Sequence, residues 1–200
     1  MRVPYLSACA TIADLASGIA PGRWDDPGLG AWNLRSLLGH TSRSIVTVLT
    51  YLQQPSDQIV APSAEAYYAL ILGATPLDSD AIVERGRQAG IALGCDPAAA
   101  IRTLVPEVTA ALTDHTDDEV ITTIVGGMRI GDYLPTRTFE LVVHGYDLAV
   151  ATDLPVRFSD DAVMQTATLA ARVAVVTGYG PELISALTGR APLRAGFSIV

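Results

Sequence analysis

Two short polar stripes stand out because they lie on segments that are otherwise apolar. Their members recur every three or four residues and are Ser36, His40, Arg43 and Thr47 in the first stripe, and Arg137, Glu140, His144 and Asp147 in the second. This spacing places the side chains of each stripe on one face of a helix. A helix that is apolar on its other faces is usually buried, so these polar side chains need partners or a water-filled cavity.

The chemistry that these residues suggest is metal binding. Glu140 and His144 lie one helical turn apart, so a carboxylate oxygen and an imidazole nitrogen can reach the same ion, and His40 can add a third ligand from a neighbouring helix. Two imidazoles and one carboxylate suit zinc or another borderline divalent metal, and three protein ligands leave a position open for water or substrate. Spacing alone leaves an alternative, because a Glu–His pair at i,i+4 is also common as an ordinary helix-surface pair.

The elements that must position these residues are predicted to be mainly helical, which favours an antiparallel bundle. Hydrophobic periodicity and the positions of Pro and Gly predict helices at 5–18, 34–54, 63–73, 78–93, 96–114, 133–151, 159–177 and 181–188, with Pro76 dividing the third from the fourth. Asn33, Asp96, Asp132 and Ser159 are the predicted N-caps. Residues 120–130 predict a short β-hairpin whose turn is formed by Gly126 and Gly127.

Composition excludes several classes of protein. The formal net charge of −8 and the pI near 4.7 argue against a nucleic-acid binder, which needs basic surface. The chain has no lysine, so a Schiff base is excluded, and no uninterrupted apolar run of the ~18 residues that suggest a membrane span. Two cysteines without metal-site spacing fit a reduced, cytoplasmic protein better than a disulfide scaffold.

Three segments resemble a known family. The segment from Trp32 to His40, WNLRSLLGH, resembles the tryptophan-to-histidine element on the second helix of the DinB/YfiT-like superfamily. A second segment, YLPTRTFELVVHGYDLA, starts at Tyr133 and contains Glu140, His144 and Asp147. It resembles the corresponding segment in the actinobacterial branch of this superfamily, the mycothiol-dependent maleylpyruvate isomerase family. The tail from Ala186, ALTGRAPLRAGFSIV, is similar to a recurrent ending in that branch.

The resemblance implies an all-α, DinB-like antiparallel four-helix bundle that binds one divalent metal through His40, Glu140 and His144. Zinc is the first expectation, and nickel, iron and manganese are the alternatives. Residues 1–155 are expected to form the metal-binding bundle, with the short hairpin, and residues 156–200 an extra helix and tail packed on it rather than an independent domain. The oligomeric state is expected to be a monomer or a homodimer.

The resemblance also implies mycothiol, a sugar-based cellular thiol, as cosubstrate. A metal lowers the pKa of a thiol, and the resulting thiolate can attack a small electrophilic substrate in a transferase or isomerase reaction. Arg43 and Arg137 are candidates to anchor the substrate or the thiol, and Asp147 to orient a ligand. A non-catalytic metal-binding bundle, serving as a sensor or interaction module, and a small-ligand carrier remain the alternatives.

Overall fold

The computed structural model describes residues 2–73 and 79–200, and within these ranges the chain is mostly helical with one small hairpin, as predicted. The helices are α1 (Arg2–Gly18), α2 (Leu34–Leu52), α3 (Ala64–Gly73), α4 (Ser79–Ala92), α5 (Pro97–Thr113), α6 (Ile130–Thr152), α7 (Asp160–Val176) and α8 (Gly180–Leu187), and the strands are β1 (Val120–Thr123) and β2 (Gly126–Arg129). A 3₁₀ turn covers Pro21–Arg23. Pro76 and Asp78, at the predicted division between two helices, lie outside the described residues.

Helices α1, α2, α5 and α6 pack in a closed ring of contacts, in which α1 meets α5 and α6, and α2 meets α5 and α6. Helix α4 covers α2, α7 packs on α1, α3 and α6, and α8 packs on α7. The interior is apolar, and its largest fully buried side chains include Tyr5, Ile12, Leu34, Leu37, Leu38, Ile45, Ile101, Leu112, Tyr133 and Leu134. This packing holds the first polar stripe, on α2, beside the second, on α6.

Three of the four predicted N-caps are confirmed. The side chains of Asn33, Asp96 and Ser159 accept hydrogen bonds from the backbone N–H groups three residues later. Each cap satisfies one of the amide groups that a helix start leaves without a partner. The cap at Asn33 fixes where α2 begins, and therefore the direction in which His40 points.

The predicted cap at Asp132 is wrong, because α6 begins at Ile130 and places Asp132 inside its first turn. Strand β2 runs directly into this helix. The N–H of Ile130 donates to the carbonyl of Glu119, and the N–H of Gly131 donates to the carbonyl of Asp117. Backbone carbonyls therefore satisfy the first amides of α6, and no side-chain cap is needed.

The hairpin is confirmed, but its turn is formed by Ile124–Val125 and not by the two glycines. Gly126 and Gly127 belong to β2, where the chain that follows α2 runs against them. A Cβ on Gly127 would lie 1.7 Å from the carbonyl oxygen of Gln58, so only glycine allows this close approach. The hairpin thereby ties the segment after α2 to the start of α6.

Other expectations from composition concern the cysteines and the membrane. Cys9 is buried and Cys95 is exposed, and both are free thiols. In the part of the chain that the structure describes, no helix combines the length and the apolar character needed to cross a bilayer.

Candidate metal centre

His40, Glu140 and His144 converge where α2 crosses α6. Each offers one ligand atom, and the three atoms lie within 4.8 Å of one another. Among residues 2–73 and 79–200, these form the one such group of three His, Cys, Asp or Glu side chains. The structure therefore brings together the three residues that the sequence singled out.

His144 is held between two carboxylates. Its Nδ1 lies 3.0 Å from Oδ2 of Asp147, and its Nε2 lies 3.4 Å from Oε2 of Glu140. A carboxylate on one imidazole nitrogen fixes the ring orientation and makes the other nitrogen a better metal ligand. Asp147, which the sequence predicted to orient a ligand, thus contacts Nδ1 of His144, and Nε2 is the nitrogen directed at the cluster.

Glu140 is oriented by a residue that the sequence did not single out. The hydroxyl of Tyr68, on α3, donates to Oε1 of Glu140 over 2.7 Å. This leaves Oε2, the oxygen next to His144, as the one that faces the cluster. Tyr68 is 72 positions away from Glu140 and lies on an apolar segment, so no local pattern indicated its role.

His40 is surrounded by rings. Its imidazole lies 4.5 Å from the indole of Trp32 and 4.7 Å from the imidazole of His144, measured between ring centroids. Its Nδ1 is buried and has no hydrogen-bond partner among the described residues. No hydrogen bond from the described residues therefore holds the His40 ring through Nδ1, and leaving this buried nitrogen unpaired is costly.

The three candidate ligands have different pKa values because their surroundings differ. Burial and the neighbouring charge of His144 lower the pKa of His40 to about 4. Burial works against the charge on both Glu140 and His144. For Glu140 it is outweighed by His144 and Arg137, and for His144 by the hydrogen bond with Asp147 and the attraction of Glu140. The pKa of Glu140 falls to about 2 and that of His144 rises to about 9. At pH 7, His40 is neutral, Glu140 is ionised and His144 carries a proton.

The two candidate anchoring arginines have different surroundings. Arg137 is buried and its guanidinium lies over the rings of Tyr133 and Tyr67, at 5.0 and 5.4 Å from their centroids. Its Nη2 also donates to the Tyr67 hydroxyl. Arg43 lies one turn beyond His40 on α2 and lines a groove between α2, α4 and α5. Arg137 is thus part of the cluster around Glu140, whereas Arg43 borders a second cavity.

The donor set fits a divalent metal. Two imidazoles and one carboxylate oxygen form one of the ligand sets found in catalytic zinc sites. The side chains of His144 and Glu140 remain 15% and 23% exposed, so the cluster is open on one side. His40, Glu140 and His144 can therefore hold a metal that keeps a position for an outside ligand.

Replacement of Asp147 by alanine is expected to weaken zinc binding by roughly 10–100-fold, because His144 loses the carboxylate that orients its ring. The measurement is competition with a chromophoric chelator. Asp57→Ala, an exposed aspartate in the loop after α2, is the control and should bind zinc as the wild type does. Equal affinities in all three proteins would contradict the orienting role.

A family model described as the mycothiol maleylpyruvate isomerase N-terminal domain matches residues 5–149. No curated protein and no solved structure matches the chain. The matched range contains all three candidate ligands, together with Asp147 and Tyr68.

Proposed function

The chain belongs to the mycothiol maleylpyruvate isomerase N-terminal domain family, and we propose that it is a metal-dependent enzyme that uses mycothiol to attack a small electrophilic substrate. The metal is held by His40, Glu140 and His144, with zinc as the first expectation. The observation that carries the proposal is the convergence of these three side chains on a partly open site. The reaction is a transfer to, or an isomerisation of, the electrophile.

The charges around the site favour a thiolate as the outside ligand. Glu140 and Asp147 contribute two negative charges, and Arg137 contributes one positive charge. With a divalent cation present and His144 neutral, these charges, together with the nearby Arg43, leave an excess of positive charge. Buried charges are costly unless they are compensated, so the site favours an anion over neutral water.

A metal at this site supplies a Lewis acid that lowers the pKa of a thiol and so provides thiolate at neutral pH. The protein residues provide the rest. Asp147 and Tyr68 fix the orientations of His144 and Glu140, respectively. Arg137, clamped by Tyr67 and Tyr133, presents a fixed positive charge that attracts an anionic or strongly polar group of the substrate or thiol.

The test uses cobalt as a spectroscopic replacement for zinc. Protein purified without an affinity tag is freed of metal, loaded with one equivalent of Co²⁺ and titrated with mycothiol. A new sulfur-to-cobalt charge-transfer absorption, together with metal-dependent consumption of mycothiol in the presence of monochlorobimane, is the expected result. Failure to retain Co²⁺ or Zn²⁺ would overturn the metal site, whereas retention without the new absorption would overturn the role of the thiol and favour the non-catalytic metal-binding alternative.

Metal binding is expected to release about one proton at pH 7, because His144 must lose its proton to become a ligand whereas His40 and Glu140 need lose none. The apparent zinc affinity should therefore rise about tenfold per pH unit between about pH 6 and 8, and level off above the His144 pKa of about 9. Calorimetric zinc titrations in buffers of different ionisation enthalpy count the protons. An affinity that is constant across this pH range would contradict the assignment.

We also propose that α1, α2, α5 and α6 constitute a DinB-like four-helix bundle, with residues 1–155 as the metal-binding unit and 156–200 as an appendage. The closed ring of contacts between the four helices supports the bundle. The contacts of α7 with α1, α3 and α6 support the view that the C-terminal part packs on this unit. Limited proteolysis tests the division, because an appendage without its own core should be degraded once it is cut from the rest.

The groove between α2, α4 and α5 favours a second candidate function, that of a small-ligand carrier. It has a volume of about 830 Å³, and apolar side chains such as Val46, Leu93 and Leu104 line it together with polar and charged ones. A carrier would bind an apolar probe such as 1-anilinonaphthalene-8-sulfonate in this groove with or without metal. Leu104→Trp should fill the groove and abolish probe binding while zinc binding persists, and unchanged probe binding in this variant would exclude the groove.

A further inference from the structure

We propose that Trp32 is the positioning residue of His40, and that α4 fixes Trp32 in place. The proposal rests on the metal site of the proposed function and assigns a role to a loop and a helix that contribute no ligand. Three observations carry it: the missing hydrogen bond at His40, the contact between the two rings, and the way in which α4 confines the indole.

The two histidines of the site are oriented by different means. His144 has a carboxylate on its Nδ1, whereas Nδ1 of His40 is buried without a hydrogen-bond partner in the described ranges. No hydrogen bond through Nδ1 therefore orients the His40 ring in the way that Asp147 orients the ring of His144. What the ring has instead is the indole of Trp32, 4.5 Å away between centroids and tilted by 31°. Packing against this surface sets the plane of the imidazole.

Trp32 is itself held by two contacts with α4. Its Nε1–H donates to the carbonyl oxygen of Val83 over 2.9 Å. Its six-membered ring edge and Nε1 lie against Gly86, where an added Cβ would be 2.6 Å from the nearest indole atoms. Helix α4 thus supplies both a hydrogen bond and a flat backbone surface, and only glycine at position 86 leaves room for the indole.

The experiment measures the zinc affinity of metal-free protein carrying Trp32→Leu, Trp32→Phe or Gly86→Ala. Trp32→Leu should weaken zinc binding by roughly 10–100-fold, the range found for residues that orient metal ligands. Trp32→Phe keeps an aromatic face and should lose less. Gly86→Ala leaves Trp32 in the chain but displaces the indole, so it should weaken binding in the same direction. Trp24→Phe is the matched control, since Trp24 is the other buried tryptophan and should affect zinc binding little.

A second readout separates positioning from general loss of stability. In the Trp24→Phe protein all tryptophan fluorescence comes from Trp32. Zinc should change this fluorescence, because the metal binds the imidazole next to the indole. In the Trp32→Phe protein the fluorescence comes from Trp24 and should not respond to zinc. In metal-free protein, the NMR signals of the His40 ring should carry a ring-current shift that Trp32→Leu abolishes.

The outcomes distinguish this inference from the proposed function. Wild-type zinc affinity in both Trp32→Leu and Gly86→Ala would overturn the positioning role and leave the metal site intact. A wild-type protein that binds no zinc would overturn the metal site. Independently of zinc binding, a His40 ring without any ring-current shift would overturn the stacking of His40 on Trp32. Equal losses of zinc affinity in Trp32→Leu and Trp24→Phe would show a structural effect only and would also overturn the proposal.

Discussion

His144→Ala is expected to reduce the metal content from about one equivalent to none and to bring mycothiol consumption down to the uncatalysed rate. The substitution removes one of three ligands, so the loss of affinity should exceed the roughly 10–100-fold that follows removal of an orienting partner. Without a metal, a free thiol is only a few per cent ionised at pH 7, so the supply of thiolate falls as well. Elemental mass spectrometry of protein purified without a tag measures the metal directly.

The chain offers a matched control for this experiment. His115 is the histidine outside the site and pairs with Glu119 beside the hairpin, so His115→Ala should retain one equivalent of metal. His40→Ala removes a different ligand from a different helix and should lose the metal as His144→Ala does. If His144→Ala retained the metal at wild-type affinity while folding normally, the assignment of His40, Glu140 and His144 would be wrong.

Helix periodicity and resemblance were sufficient to single out the candidate ligands, for a physical reason. Glu140, His144 and Asp147 lie on one helix face, and the geometry of a helix fixes how such side chains stand relative to each other. The meeting of this face with His40 depends only on the packing of α2 against α6, which the apolar sides of both helices favour. For these residues, the helix pattern in the sequence predicts the same neighbours that the structure shows.

The residues that hold the ligands in place could not be predicted in this way. Tyr68 reaches Glu140 from α3, and Trp32 is confined by α4, so both roles depend on contacts between segments that are distant in the sequence. The prediction of the hairpin turn was wrong for a related reason. Gly126 and Gly127 were assigned to the turn from local preference, but they are needed where the segment around Gln58 crosses β2. A glycine that permits a close approach has the same sequence signal as one that permits a turn.

Glycine has the same close-approach role where α2 meets α4. An added Cβ on Gly39 would lie 2.1 Å from the backbone nitrogen of Gly90, and one on Gly90 would lie 2.7 Å from the carbonyl oxygen of Arg35. Gly86 and Gly90 are one turn apart on α4, so one face of this helix lies directly against both Trp32 and α2. The sequence predicted the helix but gave no sign of how closely it is packed.

Gly39→Ala is therefore expected to destabilise the protein by about 1–3 kcal/mol or more, because its methyl group meets backbone that cannot rotate away. In a domain of this size each kcal/mol corresponds to a decrease in Tm of roughly 2–4 °C. Thermal unfolding of the metal-free protein measures the loss. Gly73→Ala is the control, since position 73 ends α3 and no atom of residues 2–73 and 79–200 lies within 4 Å of an added Cβ.

The same substitution links stability to function through α4. When Gly39→Ala pushes α4 away from α2, Val83 and Gly86 move with it, so zinc affinity should fall although no ligand has been changed. Gly90→Ala separates the same two helices from the other side, and the double variant should lose less stability than the sum of the single variants, because one displacement relieves both clashes. Additive losses, or a Gly39→Ala protein with wild-type Tm and zinc affinity, would show that α4 does not constrain the metal centre.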